Sequence, residues 1–315
     1  MRMIGCVLLI LIVGTGLNAE DARDWAIVPM LSYGHLSFNR QGIHSPGQGM
    51  LFTRGDMVPP LSERRDSLLV AGMFRQYFIL EAQEGYPSLF HGINLMIDRR
   101  IGRHLFLVLV VAESDQPFYG GIRTFIAGPG YGFEFIRTEN ISLTLGIGLG
   151  VGYFGIELPN GESLSVMPIP IVRFNMETSL ISVSFEFLTR PGLNITLLPQ
   201  HRIRLVNSFG VNQFRDTRDL LFDITLTYRL FSDDSNLGDF AGIGIGVKNW
   251  ALGFPLAENG RSYEVVYNAI YGLIDLSFLR ISGGYLFNGM EIFDLNRRRD
   301  IGNGFFVNVT LAWQF

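Results

Sequence analysis

Cysteine and lysine are almost missing from this chain. Cys6 is its single cysteine, so neither a disulfide nor a thiolate metal site has a second partner. Lys248 is its single lysine, the other cations being arginine. The planar arginine fork binds carboxylate or phosphate at two points, which suits fixed ion pairs and anionic headgroups; a bias in genome composition is the plainer account. Charged residues make up only 17% of the chain, against roughly a quarter in soluble domains. The net charge of −4 gives no basic footprint for nucleic acid. Also missing is any internal apolar run of the about 20 residues that a membrane-spanning helix needs. The five histidines, His35, His44, His91, His104 and His201, show no ligand spacing, so no metal site and no cofactor is expected.

Apolar residues are abundant: 48% of the 315 residues are hydrophobic, 13% are aromatic, and there are 37 Gly and 26 Phe. The mean hydropathy is +0.26, more than a water-facing shell normally carries. Spread over short alternating segments, such hydrophobicity is the pattern of a transmembrane barrel. The chain starts as a secretory signal does, with basic Met1-Arg2-Met3, apolar Ile4 to Val13, then Gly14 to Ala19. Cleavage is expected after Ala19, with Leu17 a large residue at the −3 position. Cys6 lies inside the apolar run, whereas a lipoprotein cysteine follows it, so lipidation is not expected.

The last stretch, Phe305 to Phe315, alternates strictly. Phe305, Val307, Val309, Leu311, Trp313 and Phe315 form one face; Phe306, Asn308, Thr310, Ala312 and Gln314 form the other. This ending resembles the C-terminal strand of bacterial outer-membrane β-barrels. The resemblance implies that Val307, Val309, Leu311, Trp313 and Phe315 act as the insertion signal read by the barrel-assembly machinery. It implies outer-membrane lipid as the surrounding medium and the cell outer membrane as the location.

Other segments share the pattern. In Ile141–Tyr153 aliphatic residues alternate with Ser, Thr and Gly, over a length sufficient to cross a bilayer core. Strands are predicted at Leu68–Leu80, Leu89–Ile97, Leu105–Glu113, Ile122–Arg137, Pro168–Met176, Leu180–Thr189, Ile203–Phe214, Leu220–Phe231, Phe240–Val247, Trp250–Pro255, Ser262–Asp275, Arg280–Phe287 and Ile301–Phe315. The expected fold is all-β: a transmembrane antiparallel up-and-down barrel of about fourteen strands, within a range of 12–16, over residues 67–315. Connections alternate short and long, as periplasmic turns and external loops do. Trp25–Phe38 is strand-like but holds Pro29, which argues against a central strand. As single-chain barrels have even strand numbers, residues 20–66 are read as an N-terminal extension or luminal plug; the rival is an extra hairpin using Gly49–Thr53, giving about sixteen strands. A plug before some fourteen strands resembles, in architecture only, the fatty-acid-transporter class of barrels.

With the aliphatic face toward lipid, the other face presents Arg75, Glu134, Arg173, Asn175, Glu186, Arg204, Asp223, Arg229, Glu264, Asn268, Arg280, Asn308 and Thr310 as candidate lumen-lining residues. Such a ladder serves an internal ion-pair network or a solute path equally. Gly146 to Gly152 lacks the helix and the Lys-Ser/Thr of a phosphate loop. His35 and Ser37 share a strand face and resemble part of the His-x-Ser-Asn motif of outer-membrane lipid hydrolases, with Phe38 replacing the expected small polar residue; an interfacial His beside a strand Ser is the stronger reading. Asp56 and Glu63 offer no protease pair. The expected function is a porin or channel for small solutes or hydrophobic molecules, not an enzyme and with no catalytic residue. The alternatives are a non-conducting structural or adhesin barrel and a lipid hydrolase.

Overall fold

The computed structural model describes residues 25–54, 66–116, 125–152, 165–188, 191–211, 220–231, 241–256, 261–276, 278–294 and 297–312. The expected signal segment 1–19, Asp56, Glu63, Trp313 and Phe315 lie outside them. Sixteen strands are present among the described residues. The first eight are β1 Trp25–Phe38, β2 Gln41–Arg54, β3 Asp66–Ile79, β4 Leu89–Ile101, β5 His104–Ser114, β6 Phe125–Arg137, β7 Ile141–Gly152 and β8 Val166–Glu177. The others are β9 Ile181–Phe187, β10 Pro191–Leu197, β11 Ile203–Val211, β12 Leu220–Phe231, β13 Ala241–Pro255, β14 Ser262–Leu276, β15 Leu279–Phe293 and β16 Arg297–Ala312. Each pairs antiparallel with its sequence neighbours, and β1 pairs with β16 from Met30↔Ala312 to Phe38↔Gly304, closing an up-and-down barrel.

The expectation of about fourteen strands and an N-terminal plug is corrected. Residues 25–54 form a hairpin in the wall, so the rival sixteen-strand reading holds and the architectural likeness to plugged fourteen-strand barrels lapses. Pro29 stands at the edge of the described β1–β16 register, which runs from Met30↔Ala312 to Phe38↔Gly304, and pairs with Met50 on its other side. Two further errors offset each other in the count. Pro191–Leu197, expected as loop, is β10, with Pro191 at the first strand position, where proline is allowed. Lys248–Asn249, expected as a turn, lies in the unbroken strand β13, pairing with Ala269 and Asn268.

Other prolines mark places where the ladder is one-sided. Pro168 and Pro170 pair with Leu149 and Ile147, while among the described residues the β8–β9 register starts at Val172↔Phe187. Pro46 falls in the gap between His44↔Phe78 and Gly47↔Arg75. The alternation of turn lengths is partial. At the end where β1 starts and β16 finishes (the terminal end), connections 102–103, 138–140, 178–180, 198–202 and 277–278 are short, but 55–65 and 232–240 are long. At the far end 80–88, 115–124, 153–165, 212–219 and 256–261 are long, while 39–40, 188–190 and 294–296 are short.

The ring is not round. Sixteen strands about 4.8 Å apart and tilted about 40° would close a circle roughly 30 Å across. Yet Cα atoms of β5 and β13, diametrically opposed in the strand order, approach within 8 Å. The pinch divides the interior into a lobe centred on β1 and a lobe centred on β9. The first is filled by a buried core that includes Phe90, Phe254, Val265, Leu286 and Ile301. Phe90 stacks on Phe254 at 4.6 Å and on Tyr263 at 5.3 Å between ring centroids. Burying each such ring contributes about 2 kcal/mol or more. Inner-face glycines let adjacent strands bend across the wall: a Cβ at Gly304 would stand 1.7 Å from the Ser37 carbonyl oxygen, and one at Gly146 2.2 Å from that of Tyr131.

These close approaches set an expected outcome. Gly304→Val should cost about 3 kcal/mol or more, since backbone cannot yield as a side chain does. Gly192→Ala, whose Cβ would meet nothing nearer than 4.0 Å, should unfold within about 1 kcal/mol of wild type. Urea unfolding of the detergent-folded protein, followed by tryptophan fluorescence, checks both; equal midpoints would refute the bend.

Candidate functional site: the inner face

Register and burial together define the inner face. The outer face of β7 exposes Leu145, Ile147 and Leu149, and that of β13 exposes Ile243, Ile245 and Val247. The inner face of β7 carries Ser142 and Thr144, both buried. Carrying this parity round the ring places Arg75, Glu134, Arg173, Asn175, Glu186, Arg204, Asp223, Arg229, Arg280, Asn308 and Thr310 on the inner face.

Glu264 and Asn268 are corrected. They share a face with the exposed Ile270 and Ile274, whereas Tyr263, Val265, Tyr267, Ala269 and Tyr271 point into the core. The assumption that the more polar face turns inward fails on β14 because three tyrosines are inner residues. Glu264 is buried near the far end of its strand.

The inner polar residues fall into separate groups. Near the terminal end, Arg173 of β8 reaches across the interior to Asp98 of β4, and its Nε donates to Glu186 at 2.6 Å. Glu134 meets Arg137 and, at 3.5 Å, Arg100. Arg137 Nη2 also donates to the Gly102 carbonyl at 2.7 Å. This network spans β4 to β9. Above it lies an apolar patch of Leu105, Leu107, Ile171 and Leu188, beside a cleft of about 20 Å³ lined by aliphatic residues and glycine. That volume holds roughly one water.

A second polar group sits in the first lobe at the far end. Glu291 is fully buried and accepts from Gln41 Nε2 at 2.7 Å, Tyr263 Oη at 2.7 Å and Arg299 Nε at 2.6 Å. Gln41 also bonds both backbone groups of Glu81, at 3.0 and 3.1 Å, so it fastens the 80–88 connection across the mouth. Tyr86 in that connection donates to Asp294, accepts from Arg297 at 3.1 Å, and lies under the Arg261 guanidinium at 4.6 Å. Sequence reasoning missed Gln41, Asp98, Glu291 and Arg299, because no period isolates them from loop-like surroundings.

The inner faces of β9 to β12 differ again. Asn175, Ser184, Asn194, Ser208, Asp223 and Lys248 are successive register partners across β8 to β13. Asn194 is exposed although it faces inward. Arg204 Nε donates to Thr227 at 3.0 Å, and Arg280 Nε to Asp275 at 3.1 Å. Arg75 Nε has no hydrogen-bond partner among the described residues.

The His35–Ser37 pair gains no support. Both sit on the outer face of β1, His35 stacks on His44 at 4.3 Å, and His35 Nδ1 has no hydrogen-bond partner among the described residues. His44 Nδ1 instead pairs with Tyr33 Oη at 2.7 Å.

No family model matches the chain, and no curated protein does. Solved structures give a distant likeness. OccK7 (OpdD) of Pseudomonas aeruginosa is 11% identical, with 92% of this chain and 99% of that chain covered at a TM-score of 0.34. OccAB3 of Acinetobacter baumannii is 8% identical over 92% and 99%, at 0.37. The outer membrane protein OpdK of Pseudomonas aeruginosa is 8% identical over 93% and 100%, at 0.35. Likeness at this level carries no weight for function.

The ion network yields an expected outcome. Arg173→Ala strands the buried Asp98 and should cost about 3–5 kcal/mol. Glu186→Gln removes a partner whose side chain is 47% exposed and should cost about 1 kcal/mol or less. Urea midpoints of the two variants check the ranking; the reverse order would refute the bridge.

Proposed function

We propose that the chain is an outer-membrane β-barrel of a diderm bacterium and that it passes small solutes across that membrane. One observation carries the reading: the wall exposes opposite chemistry on its two sides. Outward lie Ile147, Ile245 and Phe305, each more than half exposed. Inward, along β9 to β12, lie accessible polar side chains such as Asn194. Apolar side chains recurring at alternate positions round a closed ring have a favourable place in hydrocarbon and none in water. A soluble barrel would bury them in its centre. The terminal end faces the periplasm, which gives most of the short turns that side.

The non-conducting barrel is the second reading. The approach of β5 to β13 favours it, together with the aromatic core that fills the first lobe.

Membrane fractionation and planar bilayers separate these readings. The expected result is recovery with the outer membrane, extraction only by detergent, and discrete current steps after reconstitution. Recovery in the aqueous fraction would overturn the membrane assignment. Silent bilayers, with no swelling of protein-bearing liposomes in arabinose, would leave the non-conducting barrel standing.

A further inference from the structure

Resting on the channel reading above, we infer that solutes pass off-centre, along the polar inner arc of β9 to β12, and that they are small and hydrophilic. The rest of the interior is occupied. The lobe centred on β1 holds a core whose Phe90, Phe254 and Val265 are fully buried. The sector from β4 to β8 is crossed by the Arg173–Asp98 bridge and backed by Leu105, Leu107 and Ile171.

The arc is different in chemistry and in access. Ser184, Asn194, Ser208 and Asp223 follow one another in register on four adjacent strands. None belongs to either buried apolar cluster. Every residue of β9 is part-exposed, and Asn194 on β10 is exposed. A wall of hydroxyl, amide, carboxylate and guanidinium groups, with Val206 and Leu221 as its apolar members, replaces the hydration shell of a polar solute better than it receives a hydrocarbon chain. This decides between the two solute classes that the sequence left open.

Cysteine scanning tests it, since Cys6 is the single native cysteine. In a Cys6→Ser background, Ser184→Cys, Asn194→Cys and Ser208→Cys place thiols on the arc. Ile195→Cys places one on the outer face, and Ala269→Cys one in the filled lobe. Each serine variant exchanges a single heavy atom, so the fold is kept even if Asn194→Cys is not tolerated. A charged, membrane-impermeant methanethiosulfonate is added to the reconstituted protein while current and mass are followed.

The expected result is labelling at the arc positions with current reduced at least twofold. Ile195→Cys and Ala269→Cys should show no change in current. Current that persists after reagent is added to all three arc variants, or that falls with Ala269→Cys, overturns the arc while leaving a channel. Labelled arc thiols in a protein that never conducts overturn the channel reading, and passage along the arc with it.

Discussion

The pairing of β1 with β16 is the constraint on which the rest of this structure depends. An open sheet would leave a row of backbone N–H and C=O groups unpaired along each edge, and ring closure removes both edges at once. It draws Trp25–Phe38 into the wall despite its proline, and it makes Gln41–Arg54 a strand although that segment alternates poorly. Pro29 argued against the first as a central strand, and the glycine and proline of the second suggested a loop; the requirement for closure overrode both. Pro46 lies where the β2–β3 register is interrupted, between His44↔Phe78 and Gly47↔Arg75.

Closure fixes the wall but leaves its interior open to several solutions. A round ring of this size would enclose a broad water-filled lumen. Here the ring is pinched, and much of the interior is packed as the core of a soluble protein is. The close approaches at Gly146 and Gly304 permit the bending. Apolar packing stabilises the first lobe, and its buried carboxylate Glu291 is met by three donors. A buried carboxylate is tolerable only when paired and hydrogen-bonded.

These two layers explain what could be read from the sequence. The existence of most strands was legible, because alternation over ten or more residues survives on a wall whose outer face is apolar. Ile141–Gly152 and Leu220–Phe231 stand almost as expected. What failed was whatever depends on the interior. β10 is short and opens with Pro191-Gly192, a pair that reads as a turn. β13 carries Lys248 and Asn249 at its middle, and their polarity suggested a break. In fact Lys248 faces inward while Asn249 pairs across with Asn268. On β14 the inner face is the aromatic one, so the rule placing polar residues inside misassigned Glu264 and Asn268. No period distinguishes a tyrosine buried in a lumen from one facing lipid.

Lys248 shows how the dry and wet parts of the interior meet. Its Nζ lies 4.4 Å from the centroid of Phe306 and 5.4 Å from that of Tyr271, both members of the buried core. Its register partner on the other side is Asp223, which accepts from Tyr271 Oη and, at 3.2 Å, from Thr225 Oγ1. The cation thus faces ring quadrupoles on one flank and a carboxylate on the other, a combination favourable for a partly desolvated charge. A flexible four-carbon stem can lie along apolar surface while its compact head finds both. The planar guanidinium that serves everywhere else in this chain would need a wider site. That gives a physical reason for the one lysine to stand at this boundary, where the aromatic core ends and the polar arc of β9 to β12 begins.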